Sequence, residues 1–369
     1  MHLADLDLSD VYFHTSAEVF ATLEAACAAN PDLASFEVIG TSELGRPIAG
    51  VTLGHGPRTV TLIAGAHADE PVGPETLRTL ILETLAARDW GAADDGFTDL
   101  FTRFTFKIVP HANPDAEAIN QPWITAWPDL GAFLRHRLRE QPGRDVEFGY
   151  PVMRSENRAV SRFLFGYAPI ALHASLHGMA FSEGALLLVE RHWAEAHPDR
   201  LAVLQRGYLD AARTIATLGP HDQDRSGDKG FRYLGPGFWT TPEGTAMRAY
   251  FLRAGDPETA AKFFWSSMEL ARLAGYDADR QAAPLCLVTE LPLWRIDQDP
   301  ANPPGEPRNF ETFRTVLPDL TATAKQGTLA DTDLDAARER FGLRPLALRT
   351  AVRLQLRVLD LGLAALGPT

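Results

Sequence analysis

Two histidines and two glutamates in this sequence could bind a metal ion or work beside one. His67 and Glu70 form an H-x-x-E pair, and His177 and Glu290 lie far downstream. Two histidines and one carboxylate leave the fourth position of a tetrahedral zinc ion open for water, which is typical of a catalytic site. Bound zinc lowers the pKa of that water and polarises a carbonyl group. A second carboxylate, such as Glu290, can take the proton of the water and pass it to a leaving amine.

Strand-like segments precede or contain these groups. The apolar, β-branched run at 58–66 predicts a buried strand, as do the runs at 169–177 and 285–291. Helical patterns at 17–29 and 155–166 alternate with them, so the sequence predicts an α/β sheet. Ligands of open α/β sheets bind beyond the carboxyl ends of the strands. We therefore expect the H-x-x-E pair, His177 and Glu290 to meet there. Further elements are predicted as strands at 103–110 and 185–190 and as a helix opening at Pro71.

Composition and charge exclude several classes of protein. With 369 residues, 45% hydrophobic and 22% charged, the chain is neither fibrous nor wholly disordered. A net charge of -13 disfavours nucleic acid or an anionic membrane as the main partner. Two cysteines outside any C-x-x-C pair exclude a disulfide scaffold and a cysteine-ligated zinc finger. The first residues lack the pattern of a signal peptide, and no apolar run spans a bilayer, so we expect a cytoplasmic protein.

A proline-rich segment at 298–308 predicts a boundary. It divides the chain into a catalytic domain at 1–298 and a linker with a helical extension at 299–369. In the extension, apolar residues recur every three or four positions, as on an amphipathic helix, at Leu348, Val352, Leu356, Leu359, Leu363 and Leu366. This stripe is expected to dock on the main domain; the alternative is a contact of a homo-oligomer.

From about residue 12 to 295 the sequence resembles the zinc carboxypeptidases. The segment GTSELGRPI at 40–48 is similar to the family signature G-x-S-x-x-G-R-x-I, and NPDA at 113–116 is similar to its NPDG turn. SENRAV at 155–160 resembles the start of the helix before the third ligand strand. GTAMRAY at 244–250 is similar to a loop that carries a mobile, substrate-contacting tyrosine.

The resemblance implies a mixed, twisted eight-stranded sheet flanked by helices; the helical extension predicted above follows it at the C-terminus. It implies one zinc ion per chain, bound by His67, Glu70 and His177, and a general base at Glu290. Tyr250 would contact the substrate. The oxyanion-stabilising arginine would be Arg139, with the alternatives Arg144, Arg137 and Arg135.

Two positions depart from the family pattern. Glu147 and Phe148 stand where the family has an Asn-Arg pair that binds the terminal carboxylate of the substrate. A carboxylate there repels another carboxylate, so we expect substrates with a cationic or blocked end and an apolar contact with Phe148. The alternative is that another arginine enters the pocket, namely Arg158, Arg144 or Arg248. Asp69 stands where pancreatic-type relatives have an arginine.

These features predict a zinc metallopeptidase, a metallocarboxypeptidase-like hydrolase of a peptide or small amide. An acyl-amino-acid deacylase or a murein-peptide amidase is an alternative, since related subfamilies share the same site. A binding module without turnover is an alternative of another class. The four intact groups His67, Glu70, His177 and Glu290 argue against it.

Overall fold

A computed structural model describes residues 2–87, 95–140, 144–166, 169–215, 229–276, 283–297 and 309–367. The boundary predicted at 298–308 lies outside the described residues, and the division of the chain at residue 298 stays a prediction. The described strands are β1 (Ala34–Thr41), β2 (Pro47–Leu53), β3 (Arg58–Ala64), β4 (Phe104–Val109), β5 (Ile170–Ser182), β6 (Leu186–Val189), β7 (Arg232–Gly235), β8 (Phe238–Thr240), β9 (Leu285–Arg295) and β10 (Arg344–Pro345).

The described α-helices surround these strands. They are α1 (Ser16–Ala29), α2 (Val72–Ala87), α3 (Asp95–Arg103), α4 (Pro114–Ile124), α5 (Leu130–His136), α6 (Ser155–Phe165), α7 (Arg191–Ala196), α8 (Pro198–Ala211), α9 (Gly244–Arg253), α10 (Pro257–Ala260), α11 (Ser267–Gly275), α12 (Asn309–Gln326), α13 (Asp331–Phe341) and α14 (Leu348–Ala365). No helix within the described ranges has the length and apolar content needed to cross a bilayer.

All ten strands form one mixed sheet in the order β1-β2-β4-β3-β5-β9-β6-β8-β7, with β10 paired to β9. The central neighbours β4, β3, β5 and β9 run parallel. The pairs β1–β2, β2–β4 and β6–β9 are antiparallel, and β6 pairs parallel with β8. A mixed sheet flanked by helices is therefore confirmed. Within the described residues the sheet has ten strands where eight were expected, and β7, β8 and β10 are only two to four residues long. Such short strands leave little periodic pattern in a sequence.

The two strands that carry His177 and Glu290 are longer than expected. The predicted strand ends at residues 177 and 291 are wrong, because β5 continues to Ser182 and β9 to Arg295. Their parallel pairing extends past the site, where Phe181 lies opposite Trp294. Both rings are buried, at 5% and 1% exposure, and belong to the main apolar core of the protein. His177 and Glu290 thus lie side by side within strands.

Helices cover both faces of the sheet. On one face α2, α8 and α14 pack together and against the central strands, and on the other α6 and α11 do so. The segment 244–250, expected to be a loop, begins helix α9. Its alanine, methionine and arginine residues are strong helix formers, and this local preference prevails over the resemblance.

Helix α14 docks on the main body of the chain. The stripe members Val352, Leu356 and Leu359 are at most 1% exposed, and the helix contacts α2, α8, β5 and β9. The predicted docking of this stripe is therefore confirmed, because helices and strands of the same protein cover it. Gln355, on the same buried face, donates from Nε2 to Thr289 Oγ1 at 2.9 Å, directly before Glu290. The helix thus supports the strand that carries the predicted base.

Candidate metal centre

The structure brings His67, Glu70 and His177 together. His67 Nδ1 lies 3.0 Å from Glu70 Oε1, and His177 Nδ1 lies 2.8 Å from Glu70 Oε2 and 3.1 Å from His67 Nδ1. All three side chains are buried. The turn after β3 aims His67 inward, and Gly65 allows that turn with a φ of 66°. A Cβ at Gly65 would lie 3.2 Å from His111 Cα, so glycine suits both the conformation and the space.

These donor atoms fit a metal ion. One ligand atom from each residue lies within 4.8 Å of the others, and a tetrahedral zinc ion holds its nitrogen and oxygen ligands about 3.4 Å apart. Two imidazole nitrogens and one carboxylate oxygen are a donor set that suits zinc. His67, Glu70 and His177 could therefore hold a metal ion, as the sequence predicted.

The two histidines bind protons strongly when no metal is present. Burial and Arg139 lower the pKa of His67, but the carboxylates of Asp145 and Glu70 outweigh them and raise it well above its ordinary value. Burial also lowers the pKa of His177, yet its hydrogen bonds with Glu147 and Glu70 raise it to about 10. A metal ion must displace these protons, so metal binding is expected to release protons and to weaken at low pH.

A carboxylate stands behind each histidine. Asp145 Oδ2 lies 3.1 Å from His67 Nε2, and Glu147 Oε2 lies 3.3 Å from His177 Nε2. Metal-binding histidines usually donate their second N–H to a carboxylate or carbonyl, which fixes the tautomer and the ring orientation. Asp145 was not predicted from the sequence, although its place two residues before Glu147 is a signal that could have identified it.

Glu147 is 4% exposed, and both of its oxygens accept hydrogen bonds from within the protein. An anion that is already bonded on both oxygens is poorly placed to bind a cationic substrate group. The placement therefore favours a role in orienting His177 over the substrate contact predicted from the sequence.

Arg139 reaches the site, held there by acidic partners. Its Nη1 donates to Asp69 Oδ1 at 2.8 Å and to Glu70 Oε1 at 2.5 Å. Asp69 is 1% exposed and also accepts from Arg137 Nε at 2.6 Å. Asp69, noted above only as a departure from the family pattern, thus anchors two arginines beside the candidate metal-binding residues. The other two alternatives point elsewhere: Arg135 donates to Ala324 O, and Arg144 to Glu43.

A cavity of about 220 Å³ opens beside the histidines. His67, His177, Glu147, Arg139 and Glu290 contribute its polar lining, and most other lining residues are apolar: Phe148, Leu188, Phe231, Pro242, Met247, Phe263, Met268 and Val288. Glu290, the residue predicted to be the base, lines the same cavity as His67 and His177. Among the lining residues that the structure describes, Arg139 is the one guanidinium or ammonium group.

The remaining predicted residues are distributed unevenly around this cavity. Phe148 lines it, and its ring packs against Phe263 with the centroids 4.9 Å apart. Tyr250 does not line the cavity; its ring lies beside Phe251 and 5.6 Å from Lys229 Nζ. Met247, from the same helix, does line it. The alternative arginines are engaged away from it, Arg158 with Met153 O and Arg248 with Ala260 O.

The sequence motifs noted at 40–48 and 113–116 have structural roles. Asp115 accepts from Ser42 Oγ at 2.7 Å, Leu44 N at 2.8 Å and Arg46 Nη1 at 2.8 Å, so the two motifs hold each other. Asn113 caps α4 and donates to Glu140.

Glu140, which sequence analysis missed, steadies the turn that carries His67. Its Oε1 accepts from Ala68 N at 2.9 Å, next to His67, and from Asn113 Nδ2. The loop around the first two metal-binding residues is therefore fixed by hydrogen bonds to its backbone.

Comparison with known proteins bears on this site. Residues 19–128 match the profile of the family described as zinc carboxypeptidase, a stretch that contains His67 and Glu70. Carboxypeptidase B of Astacus astacus is 28% identical over 166 residues, which make up 43% of this chain. Part of the chain is therefore similar to the zinc carboxypeptidases. It spans about half of that relative, 52% of its length.

Solved structures of carboxypeptidases are also similar to this chain. A metallo-carboxypeptidase from Burkholderia cenocepacia is 18% identical, with a TM-score of 0.48; the match covers 87% of this chain and 70% of the other. Carboxypeptidase A from Helicoverpa armigera is 13% identical, with a TM-score of 0.46, over 92% of this chain and 74% of the other.

Proposed function

We propose that this protein is a zinc-dependent hydrolase of a peptide or peptide-like amide bond, with one zinc ion per chain. The convergence of His67, Glu70 and His177 beside a cavity that Glu290 also lines is the observation that carries the proposal. The relationship to carboxypeptidases supports the same reaction class.

A zinc ion in this site would supply a Lewis acid for the substrate carbonyl and a water molecule of lowered pKa. Glu290 takes a proton from the water that attacks the carbonyl carbon and delivers it to the leaving nitrogen. Arg139 donates hydrogen bonds to the carbonyl oxygen as negative charge develops there. Asp69 and Glu70 hold the guanidinium in place before the substrate arrives, so little reorganisation is needed during the reaction.

The substrate end that enters the cavity is proposed to be uncharged and apolar. Phe148 stands in the cavity wall where the family pattern has a carboxylate-binding arginine, and Arg139 is already paired with two carboxylates. A free terminal carboxylate would therefore enter an apolar wall without a charge-assisted partner. Both oxygens of Glu147 accept hydrogen bonds from buried serines, so this residue does not support a preference for cationic substrates. We therefore propose a substrate with a blocked or amidated end.

Removal of a fatty or aromatic acyl group from an amino acid is the second candidate. The apolar lining favours it, since Phe148, Phe231 and Phe263 can pack against such a group. A cytoplasmic location, predicted from the N-terminal sequence, and a homo-oligomer stay predictions.

The variant Glu290→Gln tests the proposed function. It keeps the shape of the side chain but removes the proton acceptor, so zinc should stay bound while the rate of amide hydrolysis falls by about 10²–10⁴-fold. Undiminished hydrolysis by the zinc-loaded variant would refute the role of Glu290. A wild-type protein that binds zinc and hydrolyses none of a panel of free, amidated and N-acylated peptides would refute the proposed function.

A further inference from the structure

Glu147 is the meeting point of a buried network behind the metal-binding residues. Its Oε2 lies 3.2 Å from Ser175 Oγ and 3.3 Å from His177 Nε2, and its Oε1 lies 2.8 Å from Ser267 Oγ. Ser175 and Ser267 are fully buried. The carboxylate of Glu147 is itself only 4% exposed, so its hydrogen bonds must be satisfied largely by the protein.

The direction of each hydrogen bond follows from what each group can donate. An ionised carboxylate only accepts, so Ser175 and Ser267 both give their single hydroxyl proton to Glu147. Ser267 Oγ must then accept from its other neighbour, His173 Nε2, at 3.2 Å. His173 Nδ1, with Nε2 carrying the proton, accepts in turn from Thr61 Oγ1 at 2.9 Å. Every donor in this series of hydrogen bonds therefore has an acceptor, and the series ends at the carboxylate of Glu147.

The same accounting determines the proton on His177. Its Nε2 lies 2.7 Å from Ser175 Oγ, whose own proton is committed to Glu147, and 3.3 Å from Glu147 itself. Both neighbours can only accept, so Nε2 must carry the hydrogen. The lone pair of the neutral ring is then on Nδ1, the atom that faces His67 and Glu70.

We propose that Glu147 is a positioning residue, which fixes His177 in the Nε2–H tautomer and turns its Nδ1 toward the metal. Glu147, which replaces an asparagine of the family pattern, thus acts on His177 through Nε2, the ring nitrogen that faces away from the metal. It does not contact the substrate. With Asp145 behind His67, one short segment orients both histidines. The inference rests on the proposed function only in taking zinc as the bound ion.

A glutamine at position 147 would keep the shape but disturb this arrangement. Its amide has one acceptor oxygen and an NH₂ group that only donates, while three donors converge on the site. One donor would lose its acceptor, or His177 would move its proton to Nδ1, the metal-facing atom. Losing such a partner typically costs 10–100-fold in metal affinity.

The test compares zinc affinities at one pH by competition with a chromophoric chelator. We expect Glu147→Gln to bind zinc about 10–100-fold more weakly than wild type. Glu117→Gln is the matched control and should leave zinc affinity unchanged. It makes the same change at a carboxylate that is 6% exposed, accepts a hydrogen bond from Ser16 N and does not line the cavity. ¹⁵N NMR of zinc-loaded wild type should show His177 binding through Nδ1 with a proton on Nε2.

Each outcome bears on the inference. Equal zinc affinity in wild type and Glu147→Gln, or binding of zinc by His177 Nε2, would overturn it and leave the proposed function intact. A wild type that binds no zinc would overturn both. Should Glu147→Gln fail to fold, Ser267→Ala removes one hydrogen bond to the carboxylate and should weaken zinc binding by about fivefold, and an unchanged affinity there would also overturn the inference.

Discussion

Arg139 and Asp69 form an ion pair beside the candidate metal centre, with 2.8 Å between Nη1 and Oδ1. Asp69 is buried, whereas the arginine side chain is 40% exposed and lines the cavity. Asp69 therefore fixes the guanidinium group of Arg139 from its buried side, while the exposed side of that group is available to a substrate. Burial raises the pKa of Asp69, but Arg139 and Arg137 outweigh it and lower the pKa, so the carboxyl stays ionised.

The variant Asp69→Asn should reduce turnover while zinc stays bound. Without the buried charge, Arg139 loses its fixed position, and misplacing a catalytic group by about 1 Å can cost on the order of 10²-fold. Steady-state kinetics with zinc content measured in parallel would check this. Glu43→Gln, which removes a surface partner of Arg144 and Arg154, is the control and should be near wild type. Wild-type turnover in Asp69→Asn would contradict the role given to the ion pair.

The cavity wall at Phe148 gives a specificity prediction. Phe148→Arg places a cation in an apolar lining, so it should raise the ratio of activity on free C-terminal carboxylates to activity on the matching amides. Wild type should show no strong preference for the free carboxylate. The measurement is kcat/KM on paired peptides, with Phe263→Leu as an apolar control for altered packing. A wild type that strongly prefers free carboxylates would contradict the proposed substrate end.

Helix α14 should stabilise the fold through Gln355. This fully buried side chain accepts from Thr76 Oγ1 at 2.5 Å and donates to Thr289 Oγ1. Gln355→Leu leaves two buried hydroxyl groups without these partners, so we expect a loss of about 1–3 kcal/mol in the free energy of unfolding. Urea denaturation measures it. The exposed neighbour change Arg353→Ala should cost at most about 0.5 kcal/mol, and an equal effect of both changes would count against the role of Gln355.

The carboxyl of Glu117 predicts a pH dependence of stability. Burial raises its pKa to about 7, despite hydrogen bonds from Ser16 that lower it. The folded state then keeps a proton that the unfolded chain releases above its ordinary pKa near 4.5. The free energy of unfolding contributed by this group therefore falls as pH rises from about 4.5 to about 7.

Glu117→Gln removes that dependence. Relative to wild type, the variant should gain nothing below pH 4 and at most about 3 kcal/mol above pH 7. Melting temperatures of both proteins across this pH range would measure the gain. A variant whose stability relative to wild type is independent of pH would show that Glu117 is not the titrating group.

The sequence predicted the fold and the meeting of His67, Glu70 and His177 better than it predicted the residues that surround them. Buried strands such as β3 leave long apolar runs, and the H-x-x-E pair directly follows one, so spacing alone placed His67 and Glu70 at a strand end. The extension of β5 to Ser182 was missed because pairing with Trp294 and its neighbours is a tertiary effect. The roles of Glu147 and Asp69 depend on which side chains meet across the sheet, and no local pattern in one sequence reports that.

The central claim is that His67, Glu70 and His177 bind one zinc ion. Elemental analysis of protein purified without added metal, beside the variant His177→Ala, tests it most directly. We predict about one zinc per chain in wild type and a clear loss in the variant, because one of three protein ligands is gone. Equal zinc content in the two proteins would contradict the claim.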